Sequence, residues 1–524
     1  MNRTDPSLPN YVRTEAAEVC PDLDLMTDLL AGTRRMWAMA QERGYIRKWS
    51  DEDPSVYKIR KEGETLFEGF ARVLSACVGM LHAKPPAMVW GASESAMTEQ
   101  YANLDGQGTA GPVLLKRFSE FALRDGFGLI LVDHPPPPPG VAVVTEAVAV
   151  QYNLRPIWAL YQREQLLSWR TALVNNVQMV TRAVLEESAA VPDGAYGMAT
   201  KRRYRVLTLL LLPPDEVGRP QAPRAAWELF EETKEAGQAG FVSVGAGYLT
   251  NRTGAFMDHL PLRAAYTGRT DAPLCASIPL LGVAWANLTH WRKATNLSFS
   301  QDVAAFAQAV VIGELAAEGV GAAAVPGKVR LGPLAAIHLK GEGASFEWKS
   351  PPVEAFGALE RALTEKLQQM GQMGMAFMIS DTRAAETAAA KRLDATAENS
   401  TLATAGQGIE DAWNGALEDH AWYLGIEQAG APVITINTDF DAIALDPQTM
   451  TAYTDAVARA GLPKRLLLEA WQRGGRIPAE TDLDELEMEM EANAIAAEQQ
   501  KADELAAQAD MAQRAGMMAP GKAA

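Results

Sequence analysis

Cysteine is nearly absent: three residues, Cys20, Cys77 and Cys275, are spread over 524 positions, and no CxxC spacing joins any two of them. That excludes a disulfide framework, and with only six histidines a zinc site has too few ligands. No apolar run reaches the roughly 18–20 residues a membrane helix needs. The longest candidate, Val206–Leu212, is strand-sized. The chain opens Met1-Asn2-Arg3-Thr4-Asp5 without an apolar signal segment, so the expectation is a soluble protein made in the cytoplasm, with no membrane partner. Positive charge is also short: 48 Lys and Arg face 65 Asp and Glu, a net of −17. A protein that grips nucleic acid carries a basic face. A protein past which DNA must slide has the opposite need, because an acidic wall offers no deep electrostatic trap. Charge alone leaves both "does not meet DNA" and "meets DNA without holding it" standing.

Catalytic patterns are missing too. Gly321–Lys328 has one residue too many for a phosphate-binding loop, and Val329 replaces the hydroxyl that would hold magnesium. Around Ser243 the glycine of a nucleophile elbow is replaced by Phe241. Asp133-His134, at a strand end before five prolines, reads as a turn rather than a catalytic pair. Asn437-Thr438-Asp439-Phe440-Asp441 has the composition of a cation loop without its glycine or distal glutamate. No cofactor, metal or enzymatic activity is expected, and a long chain without a complete catalytic constellation points to a structural role.

What the chain does contain is enough apolar residue, 48%, to bury real cores. Helices are expected over Pro21–Gly44, over Pro54–Leu81 with a gap at Gly63, and over Pro112–Arg124. The texture then turns to strands: Phe127–Val132, Arg155–Tyr161, Leu166–Leu173, Val177–Leu185 and Tyr204–Leu211. Pro135–Pro139 is a stiff exposed connector, inert or read by a proline-binding domain. The fold class is α+β. Pro279–Phe306 returns to helix. Gln308–Lys349 breaks into short strands and glycine turns, and a second helix follows over Pro352–Met373. After Gly374–Thr387 comes a long Ala-rich helix to about Tyr423, then a short strand Val433–Asn437 and a helical C-terminus. Glu480–Leu505 holds ten acidic residues and one lysine, the mark of a solvated, self-repelling helix or tail.

The order helix, β insertion, helix, loop, long helix makes an αα-hairpin with a head. Apolar flanks left over on such a hairpin would pack the same hairpin of a neighbour, and repetition of that contact closes a ring. Periodicity alone also fits an ordinary helical core.

Seven segments in register resemble the portal proteins (head-to-tail connectors) of tailed bacteriophages, particularly the siphovirus-like and podovirus-like group. They are Phe67–Leu81 with Lys84-Pro85-Pro86; Asn103-Leu104-Asp105-Gly106-Gln107-Gly108-Thr109, similar to a "DxDGxGT" turn; Gly126–Pro135, similar to "GxxGxLVDxP"; Arg155–Tyr161 with Leu167–Arg170; Leu280–Lys293, similar to "LLDLAxLNxxHYR" with Trp291 for the Tyr; Glu386–Thr404, similar to "ETAxxAxxxxxxxxSTLxxIA"; and Asn437–Phe440, similar to "NxDF". The first 50 or so residues, the five-proline run and the acidic C-terminus have no counterpart in that pattern.

The resemblance implies a portal-protein fold. It implies a wing over 1–278, stem helices over 279–307 and 351–373, and a β-rich clip over 308–350. A tunnel loop over 374–386, a long helix and closing strand over 387–445, and a helical crown and tail over 446–524 complete it. It implies a homo-dodecamer at one capsid vertex of the virion, assembled in the host cytoplasm, through which double-stranded DNA enters and leaves. The implied partners are the terminase large subunit, the head–tail adaptor, the major capsid protein and a scaffold. Asp381, Thr382 and Arg383 would line the tunnel, Arg383 meeting phosphate or pairing with Asp381 or a neighbour's acid. Lys328, Arg330, Lys340 and Lys349 would meet DNA, an acidic partner or only solvent at the clip.

Overall fold

Helices and strands fall in successive runs along the chain, and the class is α+β. The computed structural model describes residues 3–135, 146–174, 176–213, 219, 221–235, 238–305, 308–315, 339–349, 354–373 and 388–437; beyond these it describes 465, 468, 472, 477, 481–490, 492, 499 and 500. The chain divides into two units, Met1–Thr438 and Asp439–Ala524.

In the first unit, α1 (Thr14–Leu30) and α2 (Thr33–Met39) replace the single helix expected over Pro21–Gly44. Pro21 lies inside α1 rather than at its start. A proline there forfeits one backbone bond, and the burial of Leu23, Leu25, Met26 and Leu29 holds the helix regardless. Buried Asp28 ties the two helices together, accepting from Arg35 at 2.7 Å and from Tyr45 at 2.9 Å. The helix expected over Pro54–Leu81 is likewise two, α3 (Pro54–Glu62) and α4 (Gly69–Leu81). Between them the backbone is committed elsewhere: Leu66 N–H donates to Thr33 Oγ1, and the Glu64 carbonyl accepts from the indoles of Trp37 and Trp291.

After β1 (Ala87–Val89) and α5 (Glu94–Tyr101), the "DGxGT" segment folds into a turn that satisfies itself. Asp105 Oδ1 accepts the N–H groups of Gln107 and Thr109, and Asn103 Oδ1 accepts that of Gly108. Then α6 (Gly111–Asp125) ends at Gly126, whose φ of +84° is the left-handed cap that lets β2 (Phe127–Asp133) leave at once. A Cβ on Gly126 would stand 2.3 Å from the Ser277 carbonyl.

The short helix α7 (Glu146–Gln151) precedes β3 (Ile157–Tyr161). Five antiparallel strands follow in sequence order: β4 (Leu166–Val174), β5 (Val177–Asp193), β6 (Gly197–Leu210), β7 (Arg224–Glu235) and β8 (Gln238–Tyr248). β9 (Leu262–Tyr266) joins β2 and β3 in a second sheet, order β3-β2-β9, and β10 (Thr270–Ala272) and β11 (Cys275–Ala276) form a small ribbon. Next come α8 (Leu281–Ala305), β12 (Gln308–Leu315), β13 (Leu339–Lys349), α9 (Glu354–Met373), α10 (Ala388–Tyr423) and β14 (Val433–Thr435), which pairs with β1.

The core of the first unit lies where α6 and α10 cover the three-stranded sheet. Gly128 meets the Phe118 ring, and Trp413 of α10 stacks against both Phe118 and Trp158. α10 reaches β9 closely because position 408 is glycine; a Cβ there would stand 2.1 Å from the Tyr266 carbonyl. In the second unit Asp482 caps a helical stretch over 483–490, Arg465 pairs with Asp484, and Leu468 is buried.

His420 lies in the α10–sheet core. Trp158 Nε1 donates to its Nδ1 at 3.0 Å, and its Nε2 faces Gln100 Oε1 at 2.9 Å, partners that assign the neutral Nε2–H tautomer. Burial, with smaller contributions from Arg155 and His134, lowers its pKa to about 3. The unfolded chain takes that proton near the ordinary value of about 6.5. Stability is therefore full above that value and falls as pH drops from there toward 3, with a slope near 1.4 kcal/mol per pH unit from this group. Urea unfolding across that window is expected to show this slope, and H420Q is expected to flatten it.

Candidate functional site

The α8–β12–β13–α9 run is built from its root upward. Asn287, fully buried on α8, accepts the Phe70 N–H at 2.7 Å and donates to the Phe67 carbonyl at 2.8 Å, spanning the start of α4. One turn on, buried Trp291 donates to the Glu64 carbonyl at 3.3 Å. Arg292 donates to the carbonyls of Tyr45 and Gly44. Arg60 of α3 grips Glu52 with two bonds of 2.7 and 2.8 Å, stacks on Trp49, and reaches Asn296 at 3.3 Å. Side chains thus take up backbone groups that no helix or sheet satisfies.

α9 returns antiparallel along α8. Near one end Gly282 of α8 lies against Met373 Sδ of α9; near the other Gln301 Nε2 donates to Glu360 Oε1 at 3.4 Å. Met370 is fully buried beside Gly69, but Leu367 and Met373 stay 36% and 48% exposed, and Trp285 on α8 is 43% exposed. The described residues leave these apolar side chains of the helix pair incompletely covered.

Between the helices, β12 and β13 pair antiparallel from Gln308↔Lys349 to Leu315↔Leu339. Lys340 and Lys349 are backbone members of β13, at opposite ends of it, opposite Glu314 and Gln308 in register; their side chains lie outside the described residues. So do Lys328, Arg330, Asp381, Thr382 and Arg383, the five-proline run beyond Pro135, and Thr438–Asp441.

The Asp133-His134 pair is not a dyad. Asp133 binds Arg205 at 2.8 Å and the His134 N–H at 2.9 Å, while His134 Nδ1 lies 3.0 Å from the Pro135 carbonyl. A cleft of about 740 Å³ holds His259 between Asp258 and Asp419, each at 2.8 Å. Arg263 also grips Asp419, and no Ser, Thr, Cys or Lys lines the cleft. Among the described residues no three His, Cys, Asp or Glu side chains stand together as metal ligands, and no helix is long and apolar enough to cross a membrane.

Sequence reasoning passed over Asn287. Its signal was an amide inside an apolar helical stripe, a position that demands buried polar partners.

A family model described as a domain of unknown function (DUF4055) matches residues 279–424, the stretch from the start of α8 to just past the end of α10. No curated protein matches. Among solved structures the chain is similar to one from the neck of an empty gene transfer agent (GTA) particle. Identity is 13% and the TM-score 0.36, covering 81% of this chain and 95% of that one. A second, from the virion of a native GTA particle, gives 13%, 0.35, 83% and 98%. With TM-scores this far below 0.5 the likenesses are loose.

N287A leaves the Phe70 N–H and Phe67 carbonyl buried without partners. It is expected to cost about 2–4 kcal/mol, read as a fall in the urea midpoint with m unchanged; N287D should be nearly as costly, because the carboxylate cannot donate.

Proposed function

We propose that the chain is the portal subunit of a tailed-phage particle. It assembles into a dodecameric ring at one capsid vertex, through which double-stranded DNA is packaged and ejected. The observation that carries this reading is the antiparallel α8–α9 pair. It is clamped at its root, interrupted by the β12–β13 hairpin at its far end, and left with a flank of apolar side chains that the described residues do not cover. A repeated heterologous contact along such a flank closes a ring.

In that ring α8 and α9 are the stem and β12–β13 with its connecting segment the clip, where terminase docks during packaging and the head–tail adaptor afterwards. Residues 374–386 are the tunnel loop, with Asp381, Thr382 and Arg383 toward DNA, and Lys328, Arg330, Lys340 and Lys349 belong to the clip surface. Residues 1–278 and 387–445 make the wing, and the acidic C-terminal stretch belongs to the crown. The rim meets the major capsid protein and, during assembly, a scaffold. A ring of a dozen such chains carries roughly 200 net negative formal charges. Those near the channel, within the Debye length of about 8–10 Å, repel the DNA backbone and let it slide. The protein is not an enzyme in this reading, and hydrolysis belongs to the terminase.

Negative-stain electron microscopy of the full chain is expected to give hollow rings of about a dozen subunits with a narrow stalk and a broad rim, and the same preparation should leave ATP intact. A compact monomer that stays monomeric with scaffold and capsid protein, or measurable intrinsic ATP turnover, would sink the reading.

A further inference from the structure

The five-stranded sheet carries two arginines that no carboxylate among the described residues neutralises. Arg170 on β4 stands directly opposite Arg182 on β5. Cross-strand partners point to the same face with Cβ atoms about 5 Å apart, and like charges so placed repel. In this acidic chain most neighbouring arginines are paired: Arg3 with Glu186, Arg13 with Glu15, Arg203 with Glu231, and Arg205 with Asp133 and Glu187. Among the described residues, Arg170 and Arg182 have no carboxylate partner. The side-chain contact of Arg182 is a 3.3 Å bond to Thr208 Oγ1.

Both arginines open into one groove of about 480 Å³. Its floor is the sheet face with Val184, Val206 and Phe230, and one wall is the N-terminal segment Pro6–Pro9, which Val12 and Arg13 fasten to the sheet. Arg13 is spent on Glu15 and on stacking over Trp169, so it does not screen the pair. A second hollow continues the same face past Val206 to Thr208, Ala226 and Tyr248. Cation pair at one end, apolar floor beyond, Glu228 on the far side: the layout is short and mixed. A nucleic-acid backbone calls for an extended basic stripe; an acidic peptide segment calls for paired guanidinium forks beside an apolar shelf.

We infer that this groove is a docking site for an acidic, apolar-bearing segment of a partner protein, whose carboxylate bridges Arg170 and Arg182 while its apolar side chains lie on Val206 and Phe230. The bridging carboxylate removes a repulsion that the free protein retains. Substitution therefore weakens binding without weakening the fold. This does not depend on the ring reading, because neither arginine lies on the α8–α9 pair.

The test uses the full-length chain and a fluorescein-labelled peptide of alternating glutamate and leucine, read by anisotropy, with a glutamine–leucine peptide and a single-stranded oligonucleotide as comparisons. The glutamate peptide is expected to bind and to weaken with added salt. R170Q and R182Q should each weaken it by about tenfold or more, while leaving the melting temperature of the free protein unchanged or higher. The proposal is overturned if the glutamate peptide binds no better than the glutamine peptide. It is overturned equally if binding survives both substitutions, or if the oligonucleotide is the ligand whose binding the substitutions abolish.

Discussion

The amide of Asn287 is the contact on which the rest of the first unit's functional end depends. A helix entering a folded body normally meets side chains; α8 meets backbone, the non-helical peptide groups of the α3–α4 connection and the first amide of α4. Those groups are buried and would be costly unpaired. One asparagine and one indole satisfy them, the Arg292 guanidinium adds bonds to the Gly44 and Tyr45 carbonyls ahead of α3, and together they fix both the rotation and the depth of α8. α9 inherits its position from α8, and the β12–β13 hairpin inherits its position from both.

That arrangement explains what the sequence made legible. α8 and α9 emerge from apolar spacing of three and four and α10 from an Ala-rich run, and their observed bounds differ by two residues or so from the expected ones. The two ends of the β insertion between α8 and α9 were legible as short strands, observed as the longer β12 and β13; the expected strand over Val329–Leu331 lies outside the described residues. Where the reading failed, long-range partners decided the local structure. Nothing in Glu64-Thr65-Leu66-Phe67 forbids helix; its carbonyls and amides are claimed by Trp37, Trp291, Asn287 and Thr33 from elsewhere in the chain. β7 was not foreseen because Arg224–Glu235 is rich in good helix formers, Ala, Glu and Leu. It is a strand because β6 offers it a full ladder and Trp227 lies over Gly245 and Gly247 of β8. Tertiary context overrode propensity there.

The motifs that carried the resemblance divide by their physical content. The "DGxGT" segment is a turn whose side chains cap its own amides, and Gly126 is a helix stop with no room for a Cβ. Both preserve backbone geometry and neither presents a chemical group to a ligand. The residues proposed for the channel and the clip are a different kind: charges whose meaning depends on what stands opposite them. Arg170 and Arg182 belong with these. Neither was visible as a pair until β4 and β5 set their register, because eleven residues of sequence separate them.

The α8–α9 pair also has a mechanical aspect. With a rise of about 1.5 Å per residue, the 25 residues of α8 span roughly 37 Å, so a tilt of about 5° at the root displaces the far end by about 3 Å. That is more than half a helical turn, enough to exchange one set of side-chain contacts for another. The stiffness of a few hydrogen bonds around Asn287 therefore sets the positional tolerance of everything at the distal end, and a substitution at the root is felt as imprecision far from where it is made.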